Sequence, residues 1–86
     1  MQPEQPWWLY MIECKGGGIY TGIAKDVEAR YRQHETGKGA RYTRMNPPVR
    51  LLAKAVYPSH REAAQMEAAL KRLTPPEKRR WAFALG

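Results

Sequence analysis

Two stretches rich in aromatic and β-branched residues, at 7–14 and 19–24, begin the chain, and both favour β-strands. The segment 15–18 between them contains three glycines, so the two strands are predicted to form a β-hairpin. A loop with an odd number of residues would place Tyr10 and Tyr20 on one face of the hairpin. A loop of two or four residues would place them on opposite faces, and the pattern leaves this register open.

A helix is predicted at residues 27–35. Asp26 is a suitable N-cap for it, because an aspartate at that position can accept hydrogen bonds from the first turn, and a glycine follows the helix. At about 100° per residue, Arg30 and His34 lie on the apolar side of this helix. Residues 36–48 combine glycine, proline and cations without an apolar period, so we expect a mobile, basic loop there.

Residues 50–57 alternate in side-chain size and predict a third strand. One face of that strand would carry Leu51, Ala53, Ala55 and Tyr57. Ser59 and Glu62 form a helix-capping pair, which predicts a helix at residues 60–73. The apolar stripe of that helix would consist of Ala63, Met66, Leu70 and Leu73. Glu67 falls at the border of the stripe, about 80° from its centre.

Thr74 and Glu77 repeat the capping pattern ahead of a short helix at residues 76–84, which carries Trp81, Phe83 and Leu85. The predicted fold class is therefore α/β of the α+β type, with a small three-stranded, mostly antiparallel sheet flanked by helices. We expect a single domain over residues 1–86, with its core at 7–84.

Composition limits the chain to one small core and suggests its partner. The 86 residues are 43% hydrophobic, which suffices for one domain and not for two. Fifteen Lys and Arg against eight Asp and Glu give a net charge of +7, which favours a polyanionic partner. The lone Cys14 excludes an internal disulfide and favours a reducing compartment.

The apolar pattern does not predict a membrane segment. The longest apolar run, residues 7–12, is far shorter than the roughly 20 residues of a membrane helix. The first six residues lack the basic region and apolar stretch of a secretory signal, so we expect a cytoplasmic protein.

Two possible sites have simpler structural explanations. Glycines 16–18 could cradle a phosphate, but they lack the Lys-Ser/Thr of a P-loop and no helix follows, so a hairpin turn is favoured. Cys14, His34 and His60 do not have metal-ligand spacing, and Cys14 is expected to be a packing residue at the end of a strand.

A more specific pattern runs from Tyr20 to His34. It contains a Tyr-x-Gly strand end, a short turn and then a helix that bears Arg30 followed by His34. This order resembles the second half of the GIY-YIG nuclease motif, with Thr21 where the family usually has Ile or Val. Trp8-Leu9-Tyr10 lies where the first half belongs, with its tyrosine kept and its Gly and Ile replaced.

The resemblance extends over residues 7–73, nearly the whole chain. Glu67, on a helix after the third strand, matches the place of the family's acidic metal ligand. The small stand-alone bacterial members are the most similar and often carry a Gly-Ala-Arg-Tyr-Thr segment like residues 39–43. A late polar residue of some members, often Asn, has no counterpart, since Asn46 comes too early in the chain.

The resemblance implies a metal-dependent endonuclease that hydrolyses phosphodiester bonds in nucleic acid, with DNA favoured over RNA. Of the two tyrosines, Tyr10 is favoured to take the proton from the attacking water, while Tyr20 orients that water. Arg30 would stabilise the transition state, and His34 would accept a proton or bind phosphate. Glu67 would hold one Mg²⁺, or Mn²⁺, since a single carboxylate suits a cation that keeps its waters.

Cations and aromatic residues elsewhere suggest where nucleic acid binds. The basic loop would contribute Lys38, Arg41, Tyr42 and Arg44. A second basic set, which is as well explained by a solvated surface, comprises Lys71, Arg72, Lys78, Arg79 and Arg80. Stacking on an unpaired base would fall to Trp7, Trp8 or Tyr42.

Two alternatives are a non-catalytic basic nucleic-acid-binding module on the same fold and an interaction domain whose charge serves solubility. Each site residue taken singly has a structural explanation; Glu67, for instance, is placed to pair with Lys71 four residues on. The complete ordered set favours the nuclease. The oligomeric state is left open.

Overall fold

The first strand lies at the centre of a three-stranded antiparallel sheet, in the order β2-β1-β3. The computed structural model describes residues 5–85. Its elements are β1 (Trp7–Cys14), β2 (Ile19–Ala24), α1 (Val27–Glu35), α2 (Arg41–Met45), β3 (Pro48–Tyr57), α3 (His60–Lys71) and α4 (Pro75–Leu85). This arrangement confirms the predicted fold class.

The hairpin has the register that brings the two tyrosines together. Tyr10 pairs with Gly22 and Ile12 pairs with Tyr20, so both tyrosines share a face of the sheet. The glycine cluster is the turn of this hairpin, and Gly16 and Gly17 adopt φ angles of 92° and 90° that favour glycine.

Apolar side chains cover both faces of β1. On one face, Leu9 and Met11 form a core with residues of α3 and α4, among them Leu70. On the other face, Tyr10 and Ile12 form a second cluster, against which α1 packs. The central strand is therefore packed on both faces, and Tyr10 is one of its buried side chains.

Helix caps appear where the sequence predicts them. The Asp26 carboxylate accepts a hydrogen bond from Ala29 N at 3.1 Å and begins α1. Ser59 Oγ accepts from Glu62 N at 3.4 Å and begins α3, the helix that carries Glu67. Within the described residues, no helix is long and apolar enough to cross a membrane.

Two cations of the second basic set, Lys78 and Arg79, anchor α4 to the hairpin. Lys78 is buried, its Nζ donates to the Ile19 carbonyl oxygen at 3.2 Å, and burial lowers its pKa. Arg79 forms an ion pair with Glu13 and donates to the Gly17 carbonyl oxygen at 2.7 Å. Lys78 and Arg79 therefore have structural roles.

The structure corrects two local predictions. The predicted loop at 36–48 contains the short helix α2, whose Thr43 is buried. In β3, the pairing with β1 shifts between Met11 and Ile12, so Leu52 packs against the core while Leu51 is exposed. A β-bulge adds one residue to one strand and reverses the faces on either side of it.

Thr21, in β2, has a buried hydroxyl without a hydrogen-bond partner among the described residues. Its side chain is 2% exposed. Thr21→Val keeps the shape and removes this unpaired hydroxyl, so it should raise the free energy of unfolding by about 1 kcal/mol in urea denaturation. Thr21→Ser, which keeps the hydroxyl and loses a methyl group, should be less stable than wild type. If Thr21→Val is less stable than wild type, the Thr21 hydroxyl is not an unpaired buried group.

Candidate active site

Tyr10 and His34 form a buried hydrogen bond at the centre of the candidate site. The Tyr10 hydroxyl lies 2.9 Å from His34 Nε2, and both side chains are 1% exposed. Tyr10 comes from the central strand and His34 from the last turn of α1. A single proton thus lies between two residues that are 24 positions apart in the chain.

The other ring nitrogen of His34 faces α2. Nδ1 lies 2.8 Å from Thr43 Oγ1 and 3.4 Å from the Ala40 backbone nitrogen. Thr43 Oγ1 in turn donates to the Ala40 carbonyl oxygen at 2.9 Å. A Cβ at Gly39 would lie 2.2 Å from Nδ1, so this approach of the chain to the imidazole requires glycine.

Gly22 has the same function for the tyrosines. A Cβ at this position would lie 2.6 Å from the Tyr10 hydroxyl oxygen and 3.0 Å from the Tyr20 ring. The two rings therefore approach the backbone of β2 where a side chain would stand. This steric requirement explains the glycine of the Tyr-x-Gly pattern.

Tyr20 connects the buried pair to the basic segment. Its ring centroid lies 4.9 Å from that of His34 and 6.2 Å from that of Tyr10. Its other neighbour is Tyr42, whose ring stacks at 6.2 Å with an interplanar angle of 24°. Tyr20 is half-buried and Tyr42 is exposed, so the aromatic rings lead from the interior to the surface.

Burial, with a smaller effect of nearby charges, separates the pKa values of Tyr10 and His34. Burial and the neighbouring Tyr20 raise the pKa of Tyr10 to about 12, against the opposing effect of Arg30. Burial and Arg30 lower the pKa of His34. At neutral pH the phenol keeps its proton and the imidazole is neutral. The charge of Arg30 favours a Tyr10 phenolate, but burial outweighs it, and His34 is itself neutral.

Arg30 lies on the solvent side of this cluster. Arg30 is half-buried, and its Nη1 donates to Gln33 Oε1 at 2.7 Å. Its charge acts to lower the pKa of both Tyr10 and His34. The α1 spacing, four residues from Arg30 to His34, puts both side chains on one side of the helix.

Glu67 approaches the same phenol from α3. Its side chain is 22% exposed, lies 3.5 Å from Lys71 Nζ, and has a small raising effect on the pKa of Tyr10. Within residues 5–85, no group of three or more His, Cys, Asp and Glu side chains could hold a metal ion. One partly exposed carboxylate with water and phosphate ligands nevertheless fits Mg²⁺, which keeps several waters in such sites.

The predicted nucleic-acid-binding residues lie on α2 or just before it, and Tyr42 contacts the cluster through Tyr20. Lys38, Arg41, Tyr42 and Arg44 are all exposed. Trp7 and Trp8 are half-buried beneath cations, with Lys25 Nζ 5.6 Å from the Trp7 ring centroid and Lys54 Nζ 4.9 Å from that of Trp8.

Sequence reasoning missed Gly39 and Thr43 as residues that contact the site. The Gly-Ala-Arg-Tyr-Thr segment, residues 39–43, was the available signal. Cys14, in contrast, is buried, and burial raises the pKa of its thiol, in agreement with a packing role.

Known proteins match this chain over most of its length. A family model described as the GIY-YIG catalytic domain matches residues 6–80. A UPF0213 protein of Cupriavidus pinatubonensis is 49% identical over 78 residues, which cover 91% of this chain and 87% of that protein. A UPF0213 protein of Xanthomonas axonopodis pv. citri is 47% identical over 81 residues, which cover 94% of this chain and 79% of that protein.

A solved structure shows the same fold. The solution NMR structure of a UPF0213 protein from Bacillus halodurans has a TM-score of 0.58 and 39% sequence identity, and the match covers 92% of this chain and 84% of that one. These matches confirm the resemblance to small bacterial proteins of this type. The family match covers residues 6–80, the range in which the candidate site residues lie, and the chain belongs to the GIY-YIG catalytic domain family, which implies nuclease activity.

Proposed function

We propose that this protein is a metal-dependent endonuclease that hydrolyses phosphodiester bonds in nucleic acid, with DNA as the favoured substrate. The observation that supports this most is the buried hydrogen bond between Tyr10 and His34, with Arg30 and Glu67 acting on the same phenol. A protonated phenol beside a neutral imidazole is a proton acceptor in two parts. The phenol alone, with its high pKa, would keep its own proton and accept no other. When that proton passes to His34, the Tyr10 oxygen can accept one from water.

The proposed reaction is attack of water on phosphorus. The water would lose its proton to the Tyr10 oxygen as the Tyr10 proton moves to His34 Nε2. A bond forms between the water oxygen and phosphorus, the bond from phosphorus to the 3′ oxygen breaks, and the leaving 3′ oxygen takes a proton from solvent. Because Tyr10 is buried, water would reach it from the side of Tyr20 and Arg30, which are half-buried, and Tyr20 would orient the water.

Arg30 would stabilise the charge that develops on the phosphoryl oxygens. Its planar guanidinium can donate two parallel hydrogen bonds to a phosphate, which a lysine does not match. Its charge also adds to the effect of burial, which lowers the pKa of His34, because a nearby positive charge disfavours imidazolium.

Glu67 would hold the divalent cation, for which Mg²⁺ or Mn²⁺ is proposed. When bound, such a cation polarises the phosphate and offsets charge on the leaving oxygen. Glu67 lies 3.5 Å from Lys71 Nζ, and an ion pair of this kind between i and i+4 positions is weak enough for the carboxylate to exchange partners.

Nucleic acid would bind across α2 and the aromatic rings beside it. The exposed cations Lys38, Arg41 and Arg44 would contact phosphates, and the Tyr42 ring is available for a base. We infer low sequence specificity, because phosphate contacts and stacking carry little base information.

Removing the Glu67 carboxylate should separate cutting from binding. Glu67→Gln keeps the shape and removes the charge, so Mg²⁺-dependent cleavage of labelled DNA should fall by about 10²–10³-fold. Binding in EDTA should be unchanged, as should the unfolding midpoint. Glu35→Gln, an exposed carboxylate at the end of α1, is the matched control. Equal cleavage by wild type and Glu67→Gln would contradict the metal assignment.

Arg30→Lys should have a similar effect for a different reason. The charge remains but the forked donor is lost, so kcat should fall by about 10-fold or more while KM changes little. Steady-state kinetics on the same DNA substrate measures both constants. A loss confined to KM would make Arg30 a binding residue.

Binding through α2 should depend on salt. Neutralising Arg41 and Arg44 together should weaken binding of all sequences alike and reduce the slope of log affinity against log salt by about 1.4 to 1.8. Fluorescence anisotropy with single-stranded, duplex and branched DNA and RNA measures the slope. The control variant, Arg32→Ala with Arg61→Ala, loses the same amount of charge from α1 and α3. Its slope should stay steeper than that of the variant neutralised at Arg41 and Arg44. Wild-type binding without cleavage on every substrate would favour the non-catalytic module.

A further inference from the structure

We propose that Thr43 is a positioning residue that holds His34 in the tautomer with its proton on Nδ1, which leaves Nε2 free to accept the Tyr10 proton. The catalytic consequence rests on the proposed function, whereas the tautomer itself does not. Thr43 lies on α2 and is 1% exposed, so it has no direct access to a substrate.

The hydrogen bonds of Thr43 determine where the protons lie. The hydroxyl has one proton, and the Ala40 carbonyl oxygen, 2.9 Å away, is able only to accept. With its proton directed there, Oγ1 presents lone pairs to His34 Nδ1 at 2.8 Å. Two lone pairs at that distance repel each other, so Nδ1 carries the proton and donates it to Oγ1.

The opposite tautomer makes a poorer set of bonds. With the proton on Nε2, Nδ1 would accept from the Ala40 backbone N–H at 3.4 Å, longer than the three contacts that the first tautomer uses. Thr43 would also have to turn its proton away from the Ala40 carbonyl. The Nδ1–H tautomer instead forms a continuous chain from Tyr10 through His34 and Thr43 to the Ala40 carbonyl, with distances of 2.9, 2.8 and 2.9 Å.

This chain runs in the direction that the proposed chemistry needs. Tyr10 donates to Nε2, so its oxygen keeps a lone pair that can accept the proton of a water even when Arg30 donates to the same oxygen. In the other tautomer, Nε2 of His34 would carry a proton and donate it to Tyr10. That nitrogen would then have no lone pair to accept the Tyr10 proton. The partner of one imidazole nitrogen thus decides the function of the other.

Tautomer populations can be measured without any cleavage assay. Long-range ¹⁵N–¹H correlation spectra at neutral pH distinguish the two neutral forms of an imidazole, and His60, which is exposed, serves as an internal reference. We expect the Nδ1–H form for His34 in wild type and Thr43→Ser, and the Nε2–H form in Thr43→Val, where only the Ala40 N–H still faces Nδ1. An Nε2–H form in wild type, or no change in Thr43→Val, would overturn the proposal.

Kinetics then tests the catalytic consequence. Thr43→Val should lower kcat by about 10- to 100-fold, by analogy with the loss of hydrogen-bond partners that orient metal-bound histidines, with KM unchanged. Thr43→Ser should restore most of kcat, and thermal unfolding verifies that each variant is folded. A folded Thr43→Val with wild-type kcat would overturn the catalytic part. If wild type cuts nothing while its tautomer and the effect of Thr43→Val are as expected, the proposed function fails and the positioning role of Thr43 stands.

Discussion

The burial of His34 is the constraint on which the site depends. A neutral imidazole has one donor and one acceptor nitrogen, and leaving either without a partner inside a protein is costly. Tyr10 supplies one partner from the central strand, and Thr43 supplies the other from α2. Both approaches are close enough to require a residue without a side chain beside them, which is met by Gly22 and Gly39.

This arrangement also separates the two pKa values in a useful direction. Burial penalises the charged form of both groups, so it raises the pKa of Tyr10 and lowers that of His34. The proton therefore rests on the phenol, and the imidazole beside it is an empty acceptor. Environments that push neighbouring pKa values apart are typical of acid–base pairs in active sites.

Much of the fold was predictable because local signals carry it. Strand-forming residues and a glycine turn marked the hairpin, and Asp26 and Ser59 marked the starts of α1 and α3. The helix α2 was not predictable, since its five residues have no apolar period and it is held by contacts with His34 and the hairpin. The bulge in β3 was hidden for a similar reason, because it depends on pairing with β1.

The site was predictable as an ordered set of residues and not as a network. Spacing placed Arg30 and His34 on one side of α1, and the family pattern added Glu67. The bond from Thr43 to His34 joins residues nine positions apart across a turn that no periodicity describes. Lys78 is comparable: its chain position suggested a solvated cation, but its partner is the carbonyl oxygen of Ile19 on β2.

The short length of α2 has a consequence for how heat would act on the protein. This helix has five residues, and its N-cap, Ala40, offers no side-chain hydrogen bond. Elements so short have little stability of their own and open locally at a small fraction of the free energy needed to unfold the core. Such opening would release Thr43 from His34 while the sheet stays intact. Warming would therefore disorder the partner of the imidazole well before the tryptophans of β1 report any loss of the fold.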